Sequence, residues 1–260
     1  MVSTVSFGRT IAAVTASGVA ALGLTMAGAG DAYAATCTTS AQYGQCGPYD
    51  AGAYIIKNNM WNESPSSTQT LAASSQNAWS ITGSDPDADN SVSPVKTYPE
   101  DEEDFSGPLL YDTTVLQNFA LSAVPTCTAD SSWEVAADNW VNATEGGTDP
   151  IEVMVWENVC NQYPAGSNTG ESITINGQTF DLYAKTGADP TYKLMSTTNV
   201  KSGVVHDLDI FNWLESLGYF SNVDSLAQLN MGVEIVSTNG ANLTWTFTTS
   251  NNSVVSPISG

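Results

Sequence analysis

Ile151-Glu152-Val153-Met154-Val155-Trp156 is the stretch of this 260-residue chain that decides how the rest is read. In an extended strand, side chains alternate between faces. Ile151, Val153 and Val155 then share one face, suited to a buried core. Glu152, Met154 and Trp156 share the other, which sets an acid, a thioether and an indole, expected to be exposed, in one row.

Working outward, the same short alternations recur with turn residues between them. Strands are expected at Tyr54–Asn58, Trp79–Thr82, Trp133–Trp140, Ile151–Trp156, Ser172–Ile175, Thr179–Ala184, Tyr192–Ser196, Leu229–Ser237 and Leu243–Thr249. Asn176-Gly177 between two of them is a hairpin turn signal. One helix stands out: Asp207 or Asp209 can cap it, Ile210, Phe211, Leu214 and Leu217 make an apolar stripe, and Gly218 can end it. The fold class is therefore all-β, a sandwich of two antiparallel sheets with one packed helix. The acidic run Glu100-Asp101-Glu102-Glu103-Asp104 is expected to be a solvated loop, and its acids are not spaced as in a calcium loop.

Residues 1–34 read as a secretory signal, with Arg9, an apolar run from Ile11 to Ala27 and small residues at Ala32-Tyr33-Ala34. Residues 35–260 are then one domain of a secreted, extracellular protein. Cleavage removes the single arginine and one acid, Asp31, so the net charge stays at −21. That charge argues against nucleic acid and anionic membrane partners. Four cysteines in an exported chain favour disulfides. Three connectivities are open. The short local loop favours Cys37–Cys46, which leaves Cys127–Cys160. No metal site is expected, since His206 is the only histidine and no cysteine pair has a metal-binding spacing. His206 just precedes the helix and is expected to cap or pack there.

Two strand glutamates sit amid core-like residues. Glu152 is one; in Asn230-Met231-Gly232-Val233-Glu234-Ile235-Val236, Glu234 is the other, with Gly232 on its face expected to leave room for a ligand. Asp138 shares a face with Trp140 and can hydrogen-bond Glu152 if their strands are neighbours. Near the N-terminus, Tyr54-Ile55-Ile56-Lys57-Asn58-Asn59-Met60-Trp61 ends a strand in a polar pair and an indole. Trp61 can stack on the apolar face of a sugar ring, and Asn59 can bind a hydroxyl. Two carboxyls beside stacking indoles are what glycoside hydrolysis needs, one to protonate the leaving oxygen and one to attack or to activate water.

Those segments, with Ala137-Asp138-Asn139-Trp140 and Gly232-Val233-Glu234, resemble glycoside hydrolase family 12 in order and approximate spacing. The Glu152-x-Met154-x-Trp156 strand is the most specific of them. The resemblance implies a β-jelly roll with an open cleft, and a retaining endo-β-1,4-glucanase acting on a β-glucan such as cellulose or xyloglucan. By the same resemblance Glu152 is the nucleophile, Glu234 the acid/base and Asp138 the acid that hydrogen-bonds the nucleophile. Asn59, Trp61 and Trp156 are cleft residues, Met154 packs beneath the reacting sugar, and Pro164 falls on a cleft-edge loop. No cofactor is implied, and the protein is expected to be a monomer. Three departures stand out: Ile235 beside Glu234, where many relatives carry an aromatic residue, Asn62 after Trp61, where glycine is usual, and Glu134, where some relatives carry a neutral polar residue. Glu157, directly after Trp156, has no role in the pattern. The competing readings are a non-catalytic carbohydrate-binding β-sandwich and a retaining xylanase of the related jelly-roll family.

Overall fold

The structure, a computed structural model, describes residues 36–49, 54–85, 95–105, 113–144, 147–187, 190–219, 221 and 224–255. The expected signal segment, 1–34, lies outside the described residues. In chain order the strands are β1 (Cys37–Thr39), β2 (Gln45–Tyr49), β3 (Tyr54–Lys57), β4 (Thr68–Ser75), β5 (Ala78–Ser84), β6 (Glu100–Asp104), β7 (Thr113–Ala123) and β8 (Ser132–Val141). They continue as β9 (Ile151–Cys160), β10 (Ser167–Ile175), β11 (Gln178–Lys185), β12 (Thr191–Ser196), β13 (Ser202–His206), the helix α1 (Asp207–Ser216), β14 (Leu226–Ser237) and β15 (Leu243–Val255).

The strands form two sheets, one of six in the order β1-β4-β5-β15-β7-β13 and one of nine in the order β10-β11-β12-β9-β8-β14-β6-β3-β2. Alternation explains how they face each other. On β9 the side chains of Val153 and Val155 enter the core, as do Met231 and Val233 of β14 and Val135 and Ala137 of β8. The six-stranded sheet answers with Leu71, Ile81, Phe119, Trp245 and Phe247. Trp79 stacks on Phe247 with ring centroids 4.1 Å apart, and Trp133 meets Trp245 edge-on at 5.7 Å. Burial of this apolar surface, at about 25 cal/mol per Å², is the main force holding the sheets together.

The hairpin at Asn176-Gly177 forms as expected, with φ of 50° and 84° and Ile175 opposite Gln178. Pairing is antiparallel except between β9 and β12, which run parallel with Thr191 opposite Glu152. The disulfides are Cys37–Cys46 and Cys127–Cys160.

Two local expectations are corrected. The run Glu100–Asp104 is not a solvated loop but β6, an inner strand paired to β14 on one side and β3 on the other. Its acids are accommodated by partners distant in sequence: Lys57 pairs with Glu102, Asn59 donates to Glu100 at 2.8 Å, and Gln228 donates to Asp104 at 2.8 Å. The helix is not capped by Asp207 or Asp209. His206 holds the N-cap position without a side-chain cap bond, contacts the Asn176 amide and lies 3.5 Å from Asp209. Asp207 instead turns inward and accepts a 2.6 Å hydrogen bond from Asn139. Gly218 ends the helix as expected, at φ 83° with its N–H on the Glu215 carbonyl.

Candidate active site

Four adjacent strands, β14, β8, β9 and β12, carry the titratable groups. Register decides which meet. Across β8 and β9, Trp140 lies opposite Glu152 and Asp138 opposite Met154, so Asp138 is the diagonal neighbour of Glu152. Across β14 and β8, Glu234 lies directly opposite Glu134. Across β9 and β12, Lys193 lies opposite Met154. Glu152, Asp138 and Glu234 converge on one groove of about 300 Å³, which Asn59, Trp61, Val95, Tyr98 and Trp140 also line.

The end of the groove at Trp61 is built by the turn after β3. Asn59 takes a left-handed φ of 35°, a conformation asparagine tolerates. Its carbonyl accepts from the Tyr98 N–H and the Thr97 hydroxyl, and the Asn58 carbonyl accepts from Gln69. With the backbone held from two sides, Trp61 follows with 40% of its surface exposed, a flat indole facing the groove mouth. Tyr98 is buried and donates its hydroxyl to the Ala136 carbonyl at 3.0 Å, bracing the groove wall over β8.

The expected exposed indole on β9 is corrected: Trp156 is only 1% exposed. It packs in a satellite cluster with Ala136 and Met154, flanked by Val159 and Met195, and its N–H points to the Met154 sulfur at 3.5 Å. Met154 and Trp156 therefore lie on the sheet's functional face but are covered there, and do not line the groove. Pro164 is buried and also outside the groove lining. Its segment, 161–166, joins the end of β9 to β10, whose first residue Ser167 pairs with Ala184. Ala184 is opposite Tyr192, and Tyr192 opposite Val153, so this segment runs back along the length of β9. Gly232 leaves no ligand space either. A Cβ there would sit 2.3 Å from the Pro99 carbonyl oxygen, so the glycine serves the close approach of β6 to β14.

The electrostatics follow from burial. Asp138 is held well above the usual carboxylate range by desolvation and then by the charge of Glu152 and Glu234. No hydrogen bond joins Asp138 to Glu152, and Asp138 Oδ1 has no partner, so the two carboxyls interact through charge. Glu134, fully buried, is also pushed well up, first by desolvation, then by the charge of Glu234 and by hydrogen bonding to it. Neither Glu134 oxygen makes a hydrogen bond of ordinary geometry; the register pairing with Glu234 and the shared burial set the coupling. Lys193 is the cation within this cluster. Its Nζ lies 3.7 Å from Glu152 Oε1 and 5.6 Å from the centroid of the Trp156 ring. Burial alone would lower its pKa, but the surrounding acids Glu234, Glu152, Glu134 and Asp138 outweigh that and raise it.

Sequence reasoning missed Val95, Tyr98, Trp140 and Lys193. Trp140 was signalled by sharing a face with Asp138. Lys193 alternates with Tyr192 and Leu194, which reads as an ordinary solvent-facing strand position until β12 is paired to β9. Glu157 gains a physical setting too. It is the extra residue of a β-bulge, where Val135 pairs with Asn158 and Ala136 with Trp156. Its carboxylate accepts from Gln178, and burial pushes its pKa up to about 7.

The model of glycosyl hydrolase family 12 matches residues 52–254. A xyloglucan-specific endo-beta-1,4-glucanase A of Emericella nidulans is 28% identical over 232 residues, covering 82% of this chain and 92% of that protein. An inactive glycoside hydrolase, XLP1, of Phytophthora nicotianae is 27% identical over 212 residues, covering 75% and 84%. Among solved structures, the xyloglucanase domain of NopAA, a type three effector from Sinorhizobium fredii, in complex with cellobiose, has a TM-score of 0.70 at 23% identity. That match covers 84% of this chain and 99% of the domain, and the shared β-jelly roll is the expected fold.

Proposed function

The chain belongs to glycosyl hydrolase family 12, and from that premise we propose that it is a retaining endo-β-1,4-glucanase acting on xyloglucan or a related β-glucan. The observation that carries this reading is the convergence of Glu152, Asp138 and Glu234 on one groove with Trp61 and Asn59 at its mouth. Glu234 gives its proton to the glycosidic oxygen as the bond to the anomeric carbon breaks. Glu152 attacks that carbon and forms a glycosyl ester. Glu234, now a carboxylate, takes a proton from water, which attacks the same carbon and releases Glu152. This requires the two carboxyls roughly 5–5.5 Å apart, without room for an intervening water. Asp138, its carboxyl held well above the usual range, disfavours a second negative charge beside the nucleophile. Trp61 stacks on a glucosyl ring on the non-reducing side, and Asn59, tied to Glu100, presents its amide to a hydroxyl.

The xyloglucan preference is supported by the name of the Emericella nidulans relative, and a β-1,4-linked glucose unit by the cellobiose bound to the Sinorhizobium fredii domain. Export after loss of residues 1–34 completes the proposal. Two disulfides suit an oxidising compartment, and no described helix is long and apolar enough to cross a membrane. The test is reducing-sugar release by purified protein from xyloglucan, mixed-linkage β-glucan, cellulose and xylan. Release from one of the first three is expected. Release from xylan alone would move the assignment to a xylanase. Binding without release from any would make the protein a carbohydrate-binding sandwich; the Phytophthora nicotianae relative is named an inactive glycoside hydrolase.

A further inference from the structure

We propose that Lys193 is a positioning residue that compensates the single negative charge passed between Glu152 and Glu234, ion-paired to the first and coupled by charge to the second. The inference rests on the roles given above to those two glutamates.

Four carboxyls share the functional face of three neighbouring strands: Glu234 from β14, Glu134 and Asp138 from β8, and Glu152 from β9. Like charges this close cannot all ionise. Glycosyl transfer needs one of them ionised and another protonated, and needs them not to exchange roles. Register alone does not break that degeneracy, because carboxyls flank one another on both strand pairs. A single fixed cation limits the cluster to one compensated charge. Lys193 enters from β12, and its ammonium lies 3.7 Å from Glu152 Oε1. The side chains of the pair are 9% and 19% exposed, so water screens the attraction far less than at a surface ion pair. The Trp156 ring, 5.6 Å below the ammonium, fixes where the cation sits. This gives the buried indole a role without contact with sugar.

The groups facing the pair are consistent with one compensated charge. Tyr183 lies opposite Lys193 on β11 and brings no acid or base of ordinary strength. Burial and neighbouring charge hold the carboxyls of Glu134 and Asp138 well above the usual range, and Glu100 and the Tyr98 phenol are coupled to Asp138 by charge. The same cation serves both halves of the reaction. When Glu234 passes its proton to the leaving oxygen, the Glu152 oxygen bonds to carbon. The negative charge thus leaves Glu152, now an ester, and appears on Glu234. Lys193 is coupled to both, so the compensating cation is in place in either state.

The experiment compares wild type, Lys193→Arg and Lys193→Gln by the pH profile of kcat/KM and by the melting temperature between pH 4 and 7. An opposite charge at this range is worth about 1–3 pH units. Lys193→Gln is therefore expected to move the acidic limb of the profile up by about 1–2 units, which is about 9- to 90-fold less activity one unit below the wild-type midpoint. Affinity for an unhydrolysed cello-oligosaccharide should be unchanged, because Lys193 does not line the groove. Lys193→Arg, which keeps the charge, should keep the wild-type limb. Without the cation, ionising any of the four carboxyls is disfavoured in the folded state. The melting-temperature gap between wild type and Lys193→Gln should then widen as pH rises. Should Lys193→Gln be unfolded at pH 7, it must be folded at pH 4. An unmoved limb, a gap that does not change with pH, or unfolding at both pH values overturns the proposal. If wild type releases no sugar, the functional reading fails, and the pH dependence of the gap still decides the role of Lys193.

Discussion

Replacing Glu157 with glutamine should stabilise the protein at neutral pH and leave it almost unchanged at pH 4. Glu157 sits at the β9 bulge, buried, with a pKa raised from 4.5 to about 7 by desolvation, which the hydrogen bond from Gln178 only partly offsets. The unfolded chain ionises this group near 4.5, and the folded one near 7. Between those values the folded state binds one proton more, so stability falls as pH rises and is fully reduced above pH 7. A gap of about 2.5 pH units at about 1.4 kcal/mol each gives a loss of about 3 kcal/mol. Glutamine keeps an oxygen that can accept from Gln178 and cannot ionise, so the variant escapes the loss. For a domain of this size about 1 kcal/mol moves the melting temperature by about 2–4 °C, which predicts a gain of about 6–12 °C at pH 7.5. Thermal unfolding of both proteins from pH 4 to 8, followed by circular dichroism, reads this directly. A difference that is the same at pH 4 and pH 7.5 would refute the reasoning, because it would show that Glu157 is not held protonated by burial.

Two further substitutions probe the groove. Trp61→Ala should raise KM about 3–10-fold with kcat little changed, the loss expected of one aromatic stacking contact of about 0.5–1.5 kcal/mol; an unchanged KM would remove Trp61 from the binding surface. Gly232→Ala should lower the urea midpoint by an amount worth about 1–3 kcal/mol, since the new Cβ meets the Pro99 carbonyl. Activity should fall with it, because Glu234 is two residues away, and a variant as stable as wild type would argue against the close approach of β6.

The features that sequence reasoning reached are those written in local periodicity. The alternation at Ile151–Trp156 placed Val153 and Val155 in the core and Glu152 on the other face, and the Asn176-Gly177 turn needed only two residues to be recognised. What it missed depends on partners far along the chain. Glu100–Asp104 carries no apolar alternation, yet it is an inner strand because Lys57, Asn59 and Gln228 come to its acids from β3, the turn after it and β14. Trp156 looked exposed because its face also carries Glu152. Only the pairing with β8 and β12 brings Ala136 and Met195 over the ring. Gly232 looked like space for a ligand until β6 was placed beside it. Lys193 shows the same limit in the site itself: its proximity to Glu152 comes from a parallel pairing between strands separated by the β10–β11 hairpin, which no local pattern announces.

The central claim, that Glu152 is the nucleophile of a retaining glycosidase, is tested most directly by trapping the ester. A 2-deoxy-2-fluoro cellobioside with a reactive leaving group slows both steps but lets the first proceed, so the glycosyl-enzyme accumulates. Mass spectrometry of the digested protein should find the sugar on the peptide carrying Glu152, and proton magnetic resonance of ordinary hydrolysis should show the β-anomer formed first. A label on another residue, or first formation of the α-anomer, would contradict the account.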